Sequence, residues 1–199
     1  RIGDREEGLY WGRLSANGGS RAPPPLPRGN MNNPMRKVVL KMSVSVDGYV
    51  GTTDGGLDWV APSVDSEVTN WLVDILLNAG THIMGRVLYD TMATYWPTTT
   101  NPYSAPMNEI PKVVFSKTLK RADWQVSEVA GGDIQEEINR LKRESDGYIL
   151  AHGGSRFTQS LDKLGMIDEY RLLVHPVTLG SGLPLFAARR NLRRLHRQI

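Results

Sequence analysis

Between residues 37 and 177 the sequence alternates short apolar runs with helical segments, and this alternation constrains the fold more than any other feature. The predicted strands are residues 37–46, 81–84, 112–115, 148–151 and 169–177. The predicted helices are residues 66–78, 87–93, 134–141 and 155–163, and Gly80 is interpreted as the stop of the first. Because parallel strands need crossover connections, alternation of this kind predicts βαβ units. We therefore expect an α/β fold of three layers, with helices on both faces of a mostly parallel mixed sheet.

The chain divides into one predicted domain and two flanking segments. Residues 1–34 contain a Gly-Gly-Ser stretch and a run of prolines without strand or helix periodicity, which predicts an irregular leader. The alternating pattern fills residues 35–186, which we interpret as the folded domain. Residues 187–199 hold five arginines and no acidic residue, which predicts a basic C-terminal tail.

The positive charge of the chain belongs to its ends. The formal net charge is +3, but residues 35–186 hold 14 basic against 18 acidic residues. A mildly acidic domain lacks the basic face of a nucleic-acid binder. No run approaches the roughly 18 apolar residues of a membrane span, the sequence has no cysteine, and its four histidines lack metal-binding spacing. We therefore expect a cytoplasmic protein with a small-molecule substrate and without a nucleic-acid, membrane or metal partner.

Three polar clusters follow predicted strands. Gly153-Gly154 stands between a strand and a helix, where free N–H groups and the positive end of the helix dipole favour a phosphate. Gly85-Arg86 and Ser116-Lys117 follow two other strands. Each cluster alone is explained by a plain turn, a surface salt bridge or a polar loop. Because ligands of open α/β sheets bind beyond the carboxyl ends of the strands, the three together favour a nucleotide site.

The segments around these clusters resemble the cofactor motifs of the dihydrofolate-reductase-like superfamily. They read MGRVLY at 84–89, VFSKT at 114–118 and GGSRF at 153–157. The segments SVSVDGYV at 43–50 and LGSGLPLF at 179–186 narrow the resemblance to the branch that is similar to the reductase domain of bacterial riboflavin biosynthesis proteins. The resemblance implies an NADPH-binding reductase of a small heterocyclic substrate, often a homodimer.

The resemblance also implies which residues bind the cofactor. Gly85-Arg86 would face the diphosphate and the ribose 2′-phosphate, and Ser116-Lys117 would flank the same 2′-phosphate and the adenine. Gly153-Gly154-Ser155 would bind the pyrophosphate through backbone N–H groups, and Arg156 would approach the adenosine end. Three cations near a 2′-phosphate favour NADP over NAD.

Two carboxylates are candidate catalytic residues. Asp47 lies on the Asp-Gly turn after the first strand, where it would contact polar groups of the substrate or simply form the turn. In dihydrofolate reductase a carboxylate at the head of the first helix, shortly after a Trp, polarises the pterin. Asp65 follows Trp59 by six residues, although it also suits a helix cap. His152, next to the glycine turn, is either a proton donor or a structural histidine.

Three departures from the family pattern leave the function open. Leu88 replaces a Thr that often contacts the pyrophosphate. Ala151-His152 stands where the riboflavin enzymes typically carry an acidic residue, so their substrate is not implied. A further strand is expected where residues 187–199 are arginine-rich. The leading hypothesis is an NADPH-dependent reductase. The alternatives are a non-catalytic nucleotide-binding or structural module of the same fold and a true dihydrofolate reductase.

Overall fold

The structure, a computed structural model, describes residues 35–144 and 146–187. The predicted leader and almost all of the predicted basic tail lie outside the described residues. The described strands are β1 (Val38–Ser45), β2 (Ala79–Gly85), β3 (Lys112–Phe115), β4 (Ser127–Ala130), β5 (Tyr148–Ala151) and β6 (Glu169–His175). The α-helices are α1 (Ser66–Leu77), α2 (Arg86–Tyr95), α3 (Ser104–Glu109), α4 (Ile134–Lys142) and α5 (Ser155–Lys163), and short 3₁₀ turns span Ala61–Ser63 and Trp96–Thr98.

The six strands form one sheet in the order β4-β3-β2-β5-β1-β6, and every neighbouring pair is parallel. The one antiparallel contact among the described residues is an isolated bridge between Tyr49 and Pro184. The predicted α/β fold with a mostly parallel sheet is therefore confirmed.

Helices cover both faces of the sheet, as predicted. On the face that we call the α5 face, Val38, Leu40 and Ile83 pack against α4 and α5. On the opposite face, called the α1 face, Val39, Met84 and Leu150 pack with residues of α1, α2 and α3. A sheet buried on both faces explains why its central strands are nearly continuous apolar runs rather than alternating ones.

One predicted boundary was wrong, and one strand was not predicted. Gly80 does not end the first helix, because it lies within β2. A Cβ at this position would lie 1.7 Å from the carbonyl oxygen of Asp146, so the glycine is required by a close approach of two backbones. The strand β4 was missed because its sequence, SEVA, is only four residues long and half polar, and the structure places it at the edge of the sheet.

A crevice opens where β5 ends. Ala151, the last residue of β5, pairs with Leu40 on β1 and with Ile83 on β2. Beyond these positions β1 continues beside β6 and β2 continues beside β3. The chain leaving β5 therefore enters a gap between β1 and β2 at the carboxyl edge of the sheet, the usual place for a ligand in this class of fold. We call this gap the β5 crevice.

Candidate functional site

The glycine turn at the β5 crevice needs two glycines for different reasons. Gly153 and Gly154 both have left-handed backbones, with φ of 89° and 78°. A Cβ on Gly153 would lie 2.5 Å from Cε of Met42, so this residue packs closely onto β1. A Cβ on Gly154 would find only the Leu88 Cβ, at 3.8 Å, so the turn is open on this side. The open side is where a ligand has room to approach the backbone.

Helix α5 begins directly after this turn. Its first helical hydrogen bond runs from the Thr158 N–H to the Gly154 carbonyl at 3.0 Å. The N–H groups of residues 155–157 therefore have no partner within the helix and suit an anion. The Ser155 hydroxyl, in contrast, donates to the Pro184 carbonyl at 3.1 Å. The predicted contact of Ser155 with pyrophosphate is thus left to its backbone.

The second cluster lies beside the first. Gly85 is the N-cap of α2, and a Cβ there would lie 3.1 Å from the Phe157 Cβ on α5, so two helix N-termini meet at this edge. The half-exposed Arg86 donates from Nη1 to the Thr118 hydroxyl at 2.7 Å, and its Nε lies 3.5 Å from an Asp90 carboxylate oxygen. These contacts hold the guanidinium between the ends of β2 and β3.

The third cluster completes this edge. The Ser116 hydroxyl accepts the N–H groups of Thr118 at 3.2 Å and Leu119 at 3.0 Å, which shapes the loop after β3. Lys117 is exposed on that loop, and Arg156 is exposed on the first turn of α5. All eight predicted cofactor residues therefore lie at the carboxyl ends of three neighbouring strands, although their cofactor roles stay a prediction.

Asp47 holds a loop. Its Oδ1 accepts from the Ser45 hydroxyl at 2.6 Å and from the Leu179 N–H at 3.1 Å, and its Oδ2 accepts from the Gly180 N–H at 2.7 Å. The Ser45 hydrogen bond is the main cause that lowers the pKa of this carboxyl, and the two backbone donors add to it. This geometry favours the turn role over a catalytic one.

Asp65 is the N-cap of α1. Its Oδ1 accepts the Val68 N–H at 2.8 Å, and its carbonyl accepts the Thr69 hydroxyl at 2.8 Å. The prediction that Asp65 caps a helix is confirmed. A catalytic role remains a prediction, and the exposed carboxylate has one oxygen engaged in the cap.

A lysine that sequence reasoning missed lies at the β5 crevice. Lys41 follows Leu40 on β1, and the alternation of the strand turns it to the α1 face, where Val39 is buried. Burial lowers the pKa of the Lys41 ammonium from 10.5 to about 8. The sequence did contain a signal for this lysine. The strand around it has the apolar composition of a central strand, where a charged side chain is rarely buried without a partner.

Two histidines flank Lys41. The pKa values of His152 and His175 are both lowered, chiefly by burial, and in both the Lys41 charge contributes. The His152 ring packs edge-on against the fully buried His82, with ring centroids 4.6 Å apart. Neutral imidazoles beside a cation offer hydrogen bonds but no compensating negative charge.

The His175 ring is fixed from two sides. Its Nδ1 lies 2.5 Å from the Ser63 hydroxyl, and the Trp59 ring packs edge-on against it with centroids 5.2 Å apart. The Nε2 atoms of His175 and His152 are buried without a hydrogen-bond partner among the described residues. We call Lys41, His152 and His175 the Lys41 cluster.

A pocket of about 500 Å³ lies at the opposite edge of the sheet, by the amino ends of β3 and β4. Its charged groups are already paired. Lys112 donates to the Asn108 and Ile110 carbonyls at 3.0 and 2.7 Å, and Arg140 contacts Glu128 at 2.6 Å. This pocket therefore presents no unmatched charge to a ligand.

Two comparisons at the sequence level give the family. A model of the RibD C-terminal domain family matches residues 36–197. This chain belongs to that family. The chain is also 32% identical to the uncharacterized protein YyaP of Bacillus subtilis (strain 168) over 160 residues, covering 78% of this chain and 82% of that protein. A second uncharacterized Bacillus subtilis protein, YwjB, is 32% identical over 152 residues, covering 76% and 83%.

Solved structures show the same fold. A putative riboflavin biosynthesis protein from Shewanella sp. PV-4 superposes with a TM-score of 0.63 at 23% identity, covering 78% of this chain and 86% of that one. A diaminohydroxyphosphoribosylaminopyrimidine deaminase/5-amino-6-(5-phosphoribosylamino)uracil reductase from Thermotoga maritima superposes with a TM-score of 0.58 at 15% identity, covering 80% and 51%. The resemblance inferred from the motifs is confirmed, and the RibD C-terminal family points to an oxidoreductase.

Two absences apply to the described part of this RibD C-terminal domain. None of its helices has the length and apolar character needed to cross a membrane. No three of its histidine and acidic side chains are grouped so that they could hold a metal ion.

Proposed function

We propose that the protein is an NADPH-dependent reductase of a small heterocyclic substrate. The observation that carries the proposal is the juxtaposition of the open Gly153-Gly154 turn, the free N–H groups of α5 and the Arg86 guanidinium at one edge of the sheet. When bound, NADPH supplies a hydride to the electrophilic carbon of a C=N or C=O bond, whose heteroatom then takes up a proton.

The residues at this edge fit a dinucleotide with a 2′-phosphate. The N–H groups of residues 155–157 would hold the pyrophosphate, since a helix N-terminus favours anions. Arg86, Lys117 and Arg156 would surround the 2′-phosphate as hydrogen-bonding cations. Arg86 is already oriented by Thr118, so little side-chain entropy is lost when it binds.

On the substrate side of the site, the two predicted carboxylates also have structural roles. Asp47 and Asp65 both hold backbone N–H groups of loops or helices. Lys41, His152 and His175 instead supply the polar groups that border the β5 crevice on the α1 face. The ring of Trp59, against His175, adds a flat apolar surface that suits a heterocycle.

A binding experiment tests the cofactor part of the proposal. We expect nicotinamide fluorescence to show NADPH bound more tightly than NADH, because NADH lacks the 2′-phosphate. Arg86→Met removes a charge-assisted hydrogen bond. It should weaken the binding of NADPH by about tenfold or more and change the binding of NADH little. Lys163→Met removes another exposed cation, at the far end of α5, so it is the matched control and should leave both affinities unchanged. The absence of NADPH binding at millimolar concentration would refute the proposal.

Turnover separates the alternatives that the sequence left open. Oxidation of NADPH against a panel of pterins, pyrimidines and quinones identifies a reductase. Binding of NADPH without oxidation by any of the panel would instead favour the non-catalytic module. Methotrexate-sensitive reduction of dihydrofolate, lost in Asp65→Asn, would identify a true dihydrofolate reductase.

A further inference from the structure

The Arg86 guanidinium at the cofactor edge has two contacts of unequal quality. Its Nη1 donates to the Thr118 hydroxyl at 2.7 Å, whereas its Nε lies 3.5 Å from a carboxylate oxygen of Asp90. The first contact is a short hydrogen bond from a charged donor, which fixes direction. The second is a longer ion pair between side chains that are each about half exposed, and such pairs contribute little. Thr118 therefore determines the orientation of the guanidinium more than Asp90 does.

Thr118 is itself held in place by the loop after β3. Its N–H donates at 3.2 Å to the Ser116 hydroxyl oxygen, which also accepts a second N–H of the loop. The loop has a fixed position beside α2, because Phe115 at the end of β3 pairs with Gly85 at the end of β2. The hydrogen bond from Arg86 to Thr118 thus joins the first residue of α2 to an ordered loop on the neighbouring strand.

Three N–H groups of the guanidinium are left for a ligand. A guanidinium carries five N–H groups, of which one donates to Thr118 and the Nε group faces Asp90. The other three, one on Nη1 and two on Nη2, have no partner in the part of the chain that the structure describes. Three donors in one plane are enough for the two-point contact that an arginine makes with a phosphate. Arg86 is therefore anchored on one side and open on the other.

We infer that Thr118 is a positioning residue: by holding the Arg86 guanidinium it sets the preference of the site for a 2′-phosphate, and Asp90 opposes that preference. The inference rests on the proposed function insofar as the phosphate is that of NADPH. A guanidinium that is already oriented loses less side-chain entropy when the phosphate binds. A 2′-phosphate at Arg86 also approaches the Asp90 carboxylate, and the two like charges repel each other. A ribose 2′-hydroxyl gains little from the first effect and loses little by the second.

The test uses two ligands that differ by the 2′-phosphate alone, adenosine 2′,5′-bisphosphate and adenosine 5′-monophosphate. Isothermal titration calorimetry measures the binding of each to the full chain, and nicotinamide fluorescence does the same for NADPH and NADH. The 2′-phosphate preference is the ratio of the two affinities within each pair. We expect the wild type to prefer the 2′-phosphate by about tenfold or more.

Thr118→Val removes the hydroxyl and keeps the shape of the side chain. It should lower the 2′-phosphate preference by about three- to tenfold, because the Arg86 guanidinium is then no longer held. Thr118→Ser keeps the hydroxyl and should retain most of the preference. Thr91→Val is the matched control, because it removes another exposed threonine hydroxyl, which donates to the Val87 carbonyl within α2 at 3.4 Å, and it should leave the preference unchanged. Far-UV circular dichroism of each variant checks that the fold is intact.

A double-mutant cycle separates positioning from direct contact with the ligand. Arg86→Met alone should remove most of the preference, and adding Thr118→Val should have no further effect, because Thr118 acts through Arg86. In the ligand-free protein, the Arg86 side-chain N–H signals in ¹H–¹⁵N NMR spectra should exchange faster with water in Thr118→Val, which a direct ligand contact does not predict. An equal loss from Thr118→Val in both backgrounds would show that Thr118 contacts the phosphate itself and would overturn the inference.

Asp90→Asn tests the opposing charge. It should raise the 2′-phosphate preference by about two- to threefold, because it removes a negative charge close to the phosphate. The reverse pattern, a lower preference in Asp90→Asn with no change in Thr118→Val, would show that Asp90 orients Arg86 and would refute the positioning role of Thr118.

The outcomes for this inference and for the proposed function are distinguishable. If NADPH does not bind but the bisphosphate is preferred through Thr118, the reductase proposal fails and the positioning role stands. If NADPH binds and is oxidised while Thr118→Val leaves the preference unchanged, the reductase proposal stands and the positioning role fails. Equal affinity of the wild type for the two adenosine ligands would also contradict the positioning role.

Discussion

Lys41→Met should stabilise the protein. Burial lowers the pKa of Lys41 from 10.5 to about 8, and this shift corresponds to a cost of about 3 kcal/mol for keeping the charge in the folded state. The side chain is part-buried, so solvent screening reduces the cost, and we expect a gain of about 1 to 3 kcal/mol in the free energy of unfolding. For a domain of this size the melting temperature should rise by roughly 3 to 10 °C.

The pH dependence gives the prediction a second, sharper form. The unfolded chain keeps its proton on Lys41 up to about 10.5, whereas the folded chain releases it at about 8. Between these two pKa values the unfolded state binds more protons, so the stability of the wild type should rise with pH. Below the folded-state pKa, the Lys41 charge should destabilise the folded state by its full amount. In Lys41→Met this rise should be reduced. Urea unfolding followed by circular dichroism, at neutral pH and at about pH 10, measures both effects.

Lys112→Met is the matched control, because burial also lowers the pKa of Lys112 to about 8. Its ammonium, however, donates to the Asn108 and Ile110 carbonyls and lies 4.6 Å from the centroid of the Trp124 ring. Removing it leaves the Ile110 carbonyl without its donor, while Gln125 still donates to the Asn108 carbonyl. The lost hydrogen bond costs about 1 to 3 kcal/mol, which offsets the gain from removing a buried charge. Equal stabilisation by the two substitutions, or destabilisation by Lys41→Met at neutral pH, would refute the view that Lys41 is the unpaired cation.

Three further predictions concern the residues around the crevice. Gly154→Ala should lower the free energy of unfolding by roughly 1 to 2 kcal/mol, because φ is 78° at this position although the space around the new methyl is nearly free. It should also weaken NADPH binding in the fluorescence titration. Asp65→Ala should cost about 1 kcal/mol through loss of the cap, and unchanged kcat and KM would exclude a catalytic role. Asp47→Asn should speed limited proteolysis within residues 179–186. The wild-type loop should loosen likewise as the pH falls through the lowered pKa of Asp47, and an unchanged cleavage pattern would contradict its loop-holding role.

The sequence predicted the elements whose signals are local. Helices α1 and α4 follow from apolar periodicity and from the residues Asp65 and Asp133 before them, whose carboxylates accept N–H groups in the structure. Helix α5 follows from the glycines that precede and follow it. The carboxyl edge of the sheet was predicted for the same reason, because strand and helix boundaries alone place Gly85-Arg86, Ser116-Lys117 and the glycine turn there.

The features that were missed depend on contacts distant in sequence. Whether Lys41 is a surface lysine or a buried one depends on the helices that cover β1 on its α1 face, and no local pattern encodes that. The contact between His82 on β2 and His152, which follows β5, forms only after the sheet has brought these two strands together. The role of Gly80 is likewise set by Asp146, whose backbone approaches from another loop.

The segment 179–186 connects the two halves of the proposed site. On the β1 side, the Asp47 carboxylate accepts the N–H groups of Leu179 and Gly180. The Val50 N–H also donates to the Leu183 carbonyl at 2.8 Å. On the α5 side, Ser155 and Gln159 both donate to the Pro184 carbonyl. One segment thus fixes the turn after β1 relative to the first turn of α5, the helix proposed to hold the cofactor phosphates. Substrate and cofactor groups on opposite sides of the crevice would therefore keep a constant separation, which hydride transfer requires.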